Sequence, residues 1–496
     1  MFEKIINRLD DKLNPILVKE LRQSTNSRVL TILVIAFLSI QLFGLYIQVF
    51  MGNATSFDSR QAIFETVLTI LIASCIYGII PTVSNRFFRE RNGDSIDLIY
   101  TTVLSPFAVI SGKMLSAVGL IVLLYSLCTP FIFISYLFPG VDILTIVWSL
   151  WYSFWIIVAI AQFMILIATI KTTKIMRSVV LLGYFIGITF FSLSLVPALL
   201  FSRHGGLMMD IGFGRAPWYA HLIIMAFLLL IIGFLYVLSV CAVTADHANR
   251  ALWPRLYAAG MWLAGLLFVI GMHIFSTKSD ANEANVFWLG MSTLLFLCFM
   301  GAASGEREKY GNRVRRYIPR NKFLRLLYFP FFSGEINGIV YSITFLALTA
   351  LIFSLLPSNT RNWERGVITI VGLAGYFTWY SLLALQIKRM FVRRFPNMNS
   401  FLIMLFAVIV FTLAPMLLAC GIYHRIDPLE SDIAPFLILS FGIMTIKEYT
   451  KLGLAIGWGA CLFTLIILGP FLIRRIKEFV PLEKPTEQET DIEANE

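Results

Sequence analysis

Charge is what this chain has least of. Only 14% of its 496 residues are Asp, Glu, Lys or Arg, against roughly 25% in an ordinary soluble domain. Histidine is scarcer still: the five residues are scattered singly, with no H-E-x-x-H spacing that would set two metal ligands on one helix face. The six cysteines (Cys75, Cys128, Cys241, Cys298, Cys420 and Cys461) all lie in apolar runs, without the paired spacing of a zinc site or the loop placement of a disulfide framework. They read as packing residues. A phosphate-binding loop is missing as well. It needs G-x-x-x-x-G-K-S/T, so that backbone amides cradle phosphates. The one Gly-Lys pair is Gly112-Lys113, with Phe107 where the first glycine belongs and Met114 after the lysine. Nothing in the sequence therefore points to a catalytic residue, a metal ligand, a cofactor bound by this chain, or ATP hydrolysis by the chain alone.

What the chain has in abundance is apolar sequence. Hydrophobic residues make up 58% and mean hydropathy is +0.80. Runs of about 20 apolar residues, the length that crosses ~30 Å of hydrocarbon, recur from end to end. They predict an all-α polytopic integral membrane protein with about 12 spans. The first six lie near 29–51, 61–83, 114–138, 143–170, 178–202 and 219–242. The second six lie near 257–276, 285–303, 337–356, 367–387, 400–423 and 452–473. Residues 434–444 are too short to span and read as a re-entrant or interfacial piece. The domain reading is an interfacial segment (1–28), two six-span halves (29–242 and 257–473), a connection (243–256) and an acidic tail without apolar periodicity (474–496). With both termini cytoplasmic, 31 of the 40 Lys and Arg fall on the inward side, as positive-inside topology requires. The net charge of +11 follows from that topology and not from nucleic-acid binding.

Residues 1–28 are charged and amphipathic, with Asn14-Pro15 as a cap and first-turn pair for a helix through Lys19, Glu20 and Arg22. The segment is too charged for a signal peptide and reads as a helix lying on membrane lipid. The most informative stretch is Ser84 to Lys113. Arg86, Arg89, Glu90 and Arg91 follow a span, Asn92-Gly93-Asp94 favours a break, and Ile96, Ile99, Tyr100 and Val103 share one helical face. Ser105-Pro106 closes that short helix and Gly112-Lys113 leads into the next span. A second insert, Ser304 to Glu335, stands at the same place in the second half. Both carry Glu-Arg just inside the membrane (Glu90-Arg91, Glu306-Arg307), a Pro-Phe pair (Pro106, Pro330) and a Ser-Gly before the next span (Gly112, Gly334). The order of these features predicts internal duplication.

NPILVKELRQ before the first span, and ERNGDSIDLIYTTVLSPFAVISGKML after the second, resemble ABC-2 type permeases, the membrane subunits of many ATP-binding-cassette exporters. The resemblance implies a fused permease whose partners are separate nucleotide-binding ATPase subunits, with ATP and Mg on those subunits and a transported substrate that the sequence does not identify. It further implies a bacterial inner membrane. By the family's pattern the loop between spans two and three folds as a short coupling helix docked on the ATPase, and Glu90, Arg91, Gly93, Ser105, Pro106, Gly112 and Lys113 fall on its motif positions, with Arg89 beside them. In the second half the corresponding residues are Glu306, Arg307, Glu308, Pro330 and Gly334, but Glu335 stands where Lys113 stands. Independently of the resemblance, a rigid helix between two spans can transmit a partner's movement to both.

Ionisable groups inside spans are few. Glu65 is shallow enough to reach the interface, and His273 is near an outer end. No buried ion-pair network is legible, which argues against the competing reading as an ion-driven secondary transporter. A membrane anchor for a soluble complex is the other alternative.

Overall fold

The computed structural model describes residues 14–51, 57–92, 105–137, 143–169, 182–187, 189, 218–244, 249–275, 277–303, 306, 312–356, 363–391 and 450–481. Every regular element among them is helical. Ten stretches are long and apolar enough to cross a membrane, running from Arg28–Phe50 and Ile63–Glu90 to Ile370–Phe391 and Ala455–Glu478. The chain is a multi-pass integral membrane protein. The ten coincide with ten of the twelve expected spans. The expected span at 400–423 and the piece at 434–444 lie outside the described residues, as does 178–202 apart from residues 182–187 and 189.

The chain divides into two compact units, Met1–Thr244 and Ala245–Glu496. In the first, α1 (Pro15–Thr25) precedes α2 (Arg28–Tyr46), which runs into a π turn at Ile47–Met51. Next come α3 (Phe57–Ala73), a π turn (Ser74–Ile79) and α4 (Ile80–Asn92), which together form one rod. The π turn has an identifiable cause: Pro81 has no N–H and its ring crowds the preceding turn, so the helix widens just before it. Tyr184 donates to the Ile76 carbonyl within that turn at 3.0 Å. Three further helices complete the unit, α5 (Pro106–Leu137), α6 (Ile143–Thr169) and α7 (Trp218–Val243). The second unit holds α8 (Leu252–Phe275), α9 (Lys278–Ala303), the short α10 (Asn312–Arg315) and α11 (Lys322–Tyr328), α12 (Glu335–Leu355), α13 (Trp363–Phe391) and α14 (Thr450–Glu478).

Each unit has its own core. The first is aliphatic, built on Phe37, Ile63, Leu68, Leu71, Ile121, Leu124 and Ile157. The second is aromatic, with Phe296, Tyr341, Tyr376 and Tyr380 almost wholly buried. In hydrocarbon the hydrophobic effect does not drive helices together, so close packing and interhelical hydrogen bonds carry more of the specificity. Gln41 donates to the Val67 carbonyl at 3.0 Å, Gln162 to Ser239 at 2.9 Å, and the Trp262 indole to Thr349 at 2.8 Å. Gly457 lets the Tyr376 ring approach α14, whereas Gly459 faces open space. The five described cysteines are free, and four of them are buried, in keeping with packing.

The helices extend beyond the hydropathic spans. The second span's rod continues to Asn92 and not 83, the third span's helix starts at Pro106 and not 114, α8 begins at Leu252 inside the expected connection, and α14 runs to Glu478. Hydropathy marks where side chains leave lipid, but a helix continues until something breaks it, as Ser105-Pro106 does ahead of the third span. Ser105 and Pro106 therefore open the third span's helix. The Ser105 hydroxyl accepts from Ala108 N–H at 3.2 Å, and Pro106 occupies the first turn, where no N–H is needed. At 1.5 Å per residue, the 32 residues of α5 run about 48 Å, well beyond ~30 Å of hydrocarbon. Glu65 is 8% exposed and packed inside the first unit.

Candidate functional site

The site grows from α1. Asn14 caps it as its position predicts, its side-chain oxygen accepting from Ile16 N–H at 3.0 Å, with Pro15 in the first turn. The same amide uses its nitrogen elsewhere, donating to the Ala108 carbonyl at 2.5 Å and to Ser111 at 3.2 Å. The cap is thus also a hook onto α5. Along α5 the facing residues are small. A Cβ on Gly112 would stand 2.9 Å from Ile16 Cβ and 3.1 Å from the Leu17 backbone nitrogen, and one on Gly119 would stand 3.3 Å from Leu21. Close approach of the two helices depends on Gly112. Gly112→Leu should push α1 away at a cost of about 1–3 kcal/mol. Hydrogen exchange should then accelerate in residues 15–25 while the spans keep their protection.

That approach brings a charged cluster together. The Lys113 ammonium donates to Glu20 at 2.7 Å and to Glu90 at 2.5 Å, and lies 4.5 Å from the centre of the Phe87 ring. Lys19 reaches the other oxygen of Glu90 at 3.3 Å. Lys113 and Glu20 are buried, their side chains 3% and 5% exposed, while Glu90 is 20% exposed. Two ammonium groups balance two carboxylates, which is the condition for keeping them out of water. One turn along, Arg86 donates to the buried Ser24 hydroxyl at 2.7 Å. Lys113 therefore clamps three elements, α1, the end of α4 and the start of α5. The last two flank residues 93–104, the expected coupling helix, which lie outside the described residues together with Gly93.

The structure gathers Asn14, Glu20, Glu90, Gly112 and Lys113 into this clamp, with Lys19 at its rim. Glu90 is spent on Lys113 and Lys19, so it is not a free contact for a soluble partner. Arg89 and Arg22 are exposed; the Arg91 side chain lies outside the described residues. On the outer face of α1 a shallow depression of about 650 Å³ is lined by Pro15, Val18, Lys19, Arg22, Gln23 and Asn26.

The second unit has a clamp of different chemistry. Arg255, 1% exposed, donates through one nitrogen to the Pro330 and Phe332 carbonyls at 2.8 and 2.5 Å. Its other terminal nitrogen meets Glu306 at 2.6 Å. The second oxygen of Glu306 accepts from Gly334 N–H at 2.6 Å. Gly334 has φ 156 and ψ 143, a conformation that glycine adopts far more readily than other residues. Pro330 and Gly334 thus act through their backbone. Arg307 and Glu308 lie outside the described residues. Glu335, at the position of Lys113, is buried and pairs with Lys388 at the end of α13. At this one position the sign of the buried charge is reversed between the units.

Sequence reading missed Arg255, Lys388 and the pairing as such; the buried ion pairs correct the expectation that none exist. They sit at helix ends and not at mid-span. The available signal was a charge within the first two turns or so of a span's helix, at Lys113, Arg255 and Glu335, each of which must find a counter-ion. Among the described residues no three His, Cys, Asp or Glu side chains are grouped to hold a metal. The arrangement holds helices together.

Comparison with models of known protein families found no match, and comparisons with curated proteins and with solved structures found none. Fold and site together define a multi-pass helical membrane protein with buried charge clamps at the ends of its spans.

Proposed function

We propose that this chain is the permease subunit of an ATP-binding-cassette transporter of the ABC-2 type, working as an exporter in a bacterial inner membrane with both termini in the cytoplasm. Separate nucleotide-binding subunits, carrying ATP and Mg, would drive it, and its cargo is a substrate that neither sequence nor site identifies. The observation that carries the reading is the Lys113 clamp. Whatever moves residues 93–104 must move α1, α4 and α5 together, because a buried ammonium shared by two carboxylates cannot release one element without stranding charge. Such a joint converts a push on one loop into a displacement of two spans. The push shifts the permease only if the ATPase binds its two states with different affinity. The competing secondary transporter needs ionisable coupling groups at mid-membrane, whereas the ion pairs described here lie at span ends.

The test is a pull-down of the detergent-extracted chain followed by an ATPase assay on whatever soluble protein accompanies it. An ATPase should co-purify, and Arg89→Glu should release it while leaving the unfolding midpoint unchanged, since Arg89 is exposed and outside the clamp. A chain that purifies without any ATPase would overturn the assignment and direct attention to ion-gradient transport in liposomes.

A further inference from the structure

Residues 312–334 carry a second surface, independent of the clamps' chemistry and of the transport reading. Its apolar residues divide into two sets. Val314, Ile318, Phe329 and Phe332 are buried with Phe479, just beyond α14. The Phe329 and Phe332 rings each meet that of Phe479 edge-on at 5.2 Å. This set pins the segment to the end of a span. The other set is bare. No residue of α11 is buried; Phe323 is 73%, Leu326 74% and Leu327 58% exposed, and Tyr317 before the helix is 78% exposed. At 100° per residue, the five exposed apolar side chains of α11 cover about 200° of its circumference, with Lys322 and Arg325 in the remaining arc. Arg316, Arg320 and Lys322 are exposed around it, and no Asp or Glu occurs anywhere from 312 to 334.

We propose that residues 312–328 form an in-plane element of the bilayer interface that binds the headgroups of anionic lipids. Tyr317, Phe323, Leu326 and Leu327 would sit among the upper acyl chains, and Arg316, Arg320 and Lys322 level with the phosphates. The segment lies between two spans, α9 ending at Ala303 and α12 starting at Glu335, as the first insert does. Two further features select lipid over a soluble partner. The Phe479 contact holds it at the height where α14 ends. Its uninterrupted positive charge complements an anionic leaflet, and the wide apolar arc suits insertion better than the narrow stripe of a helix seated in a protein groove. The two inserts, similar in sequence order, then do different work: the first passes on a partner's movement and the second fixes the permease to its lipid.

The test uses the full chain carrying Leu326→Cys in nanodiscs of phosphatidylcholine alone or with one quarter phosphatidylglycerol. Labelling by a water-soluble maleimide is measured above that of the parent protein with its native cysteines. Labelling should be about tenfold slower in the anionic discs, and high salt should restore the faster rate by screening. Arg316→Gln, Arg320→Gln and Lys322→Gln together should abolish the difference without moving the unfolding midpoint. Equal rates in the two compositions, whether fast or slow, would overturn the proposal. So would protection that appears only when a co-purified ATPase is added, since that result assigns the surface to the soluble partner.

Discussion

Lys113→Met should lower the unfolding midpoint of the detergent-solubilised chain by roughly 10 °C. Removing one member of a buried ion cluster typically costs about 3–5 kcal/mol, because the charges left behind stay buried without a partner. For a unit of some 240 residues, 1 kcal/mol corresponds to about 2–4 °C. Glu20, with its side chain 5% exposed, has Lys113 as its ion-pair partner, so it bears most of the loss; Glu90 retains Lys19. That difference makes the prediction specific. Adding Glu20→Gln should recover a substantial part of the midpoint, whereas adding Glu90→Gln should recover less. An unchanged midpoint for Lys113→Met would mean that the cluster is hydrated, and the clamp would lose its mechanical role. Lys113→Arg tests geometry at constant charge: the Lys113 side chain is 3% exposed and its ammonium sits between Glu20, Glu90 and the Phe87 ring, so the larger guanidinium should rescue only in part.

Arg255→Lys should be nearly as damaging as Arg255→Met, which is unusual for a change that keeps the charge. The guanidinium serves three acceptors at once, the Pro330 and Phe332 carbonyls and the Glu306 carboxylate. A lysine ammonium is a single point on a flexible stem and cannot reproduce that fork. Carbonyls left without a donor at a buried site cost about 1–3 kcal/mol each, so a loss of about 3 kcal/mol is expected for the second unit. The readout is limited proteolysis of residues 306–334, which should become several-fold more susceptible while the spans stay protected. Wild-type resistance in Arg255→Lys would show that the carboxylate pair alone holds the segment.

How much of this was legible in the sequence depends on the distance over which each signal acts. Asn14-Pro15 was readable because a cap is decided within four residues. The ten described spans were readable because a bilayer imposes its thickness on the apolar run. The clamp was not, since Glu20, Glu90 and Lys113 are separated by 70 and 23 residues and share no periodicity. Glu90 stood out as a charge at a membrane face, but the same position suits a residue awaiting a partner and one already paired. Burial decides between them, and burial is a property of the packed helices. Arg255 was hidden for another reason. By hydropathy the apolar run starts near residue 257, which puts Arg255 in the connection, whereas the helix begins at Leu252 with Pro254 in its first turn.

The reversal of charge between Lys113 and Glu335 bears on how the chain is assembled. Two units of helices leave the ribosome one after the other, and newly inserted helices can dock on the wrong neighbours. A helix bearing Glu335 that settled against α1 and α4 would place a third carboxylate beside Glu20 and Glu90 with its cation missing. A helix bearing Lys113 that settled against the end of α13 would set its ammonium on Lys388. Both exchanges bury like charges, so each is rejected by the same groups that stabilise the correct partner. The opposite signs at these two positions thus work as a proofreading mark for membrane insertion.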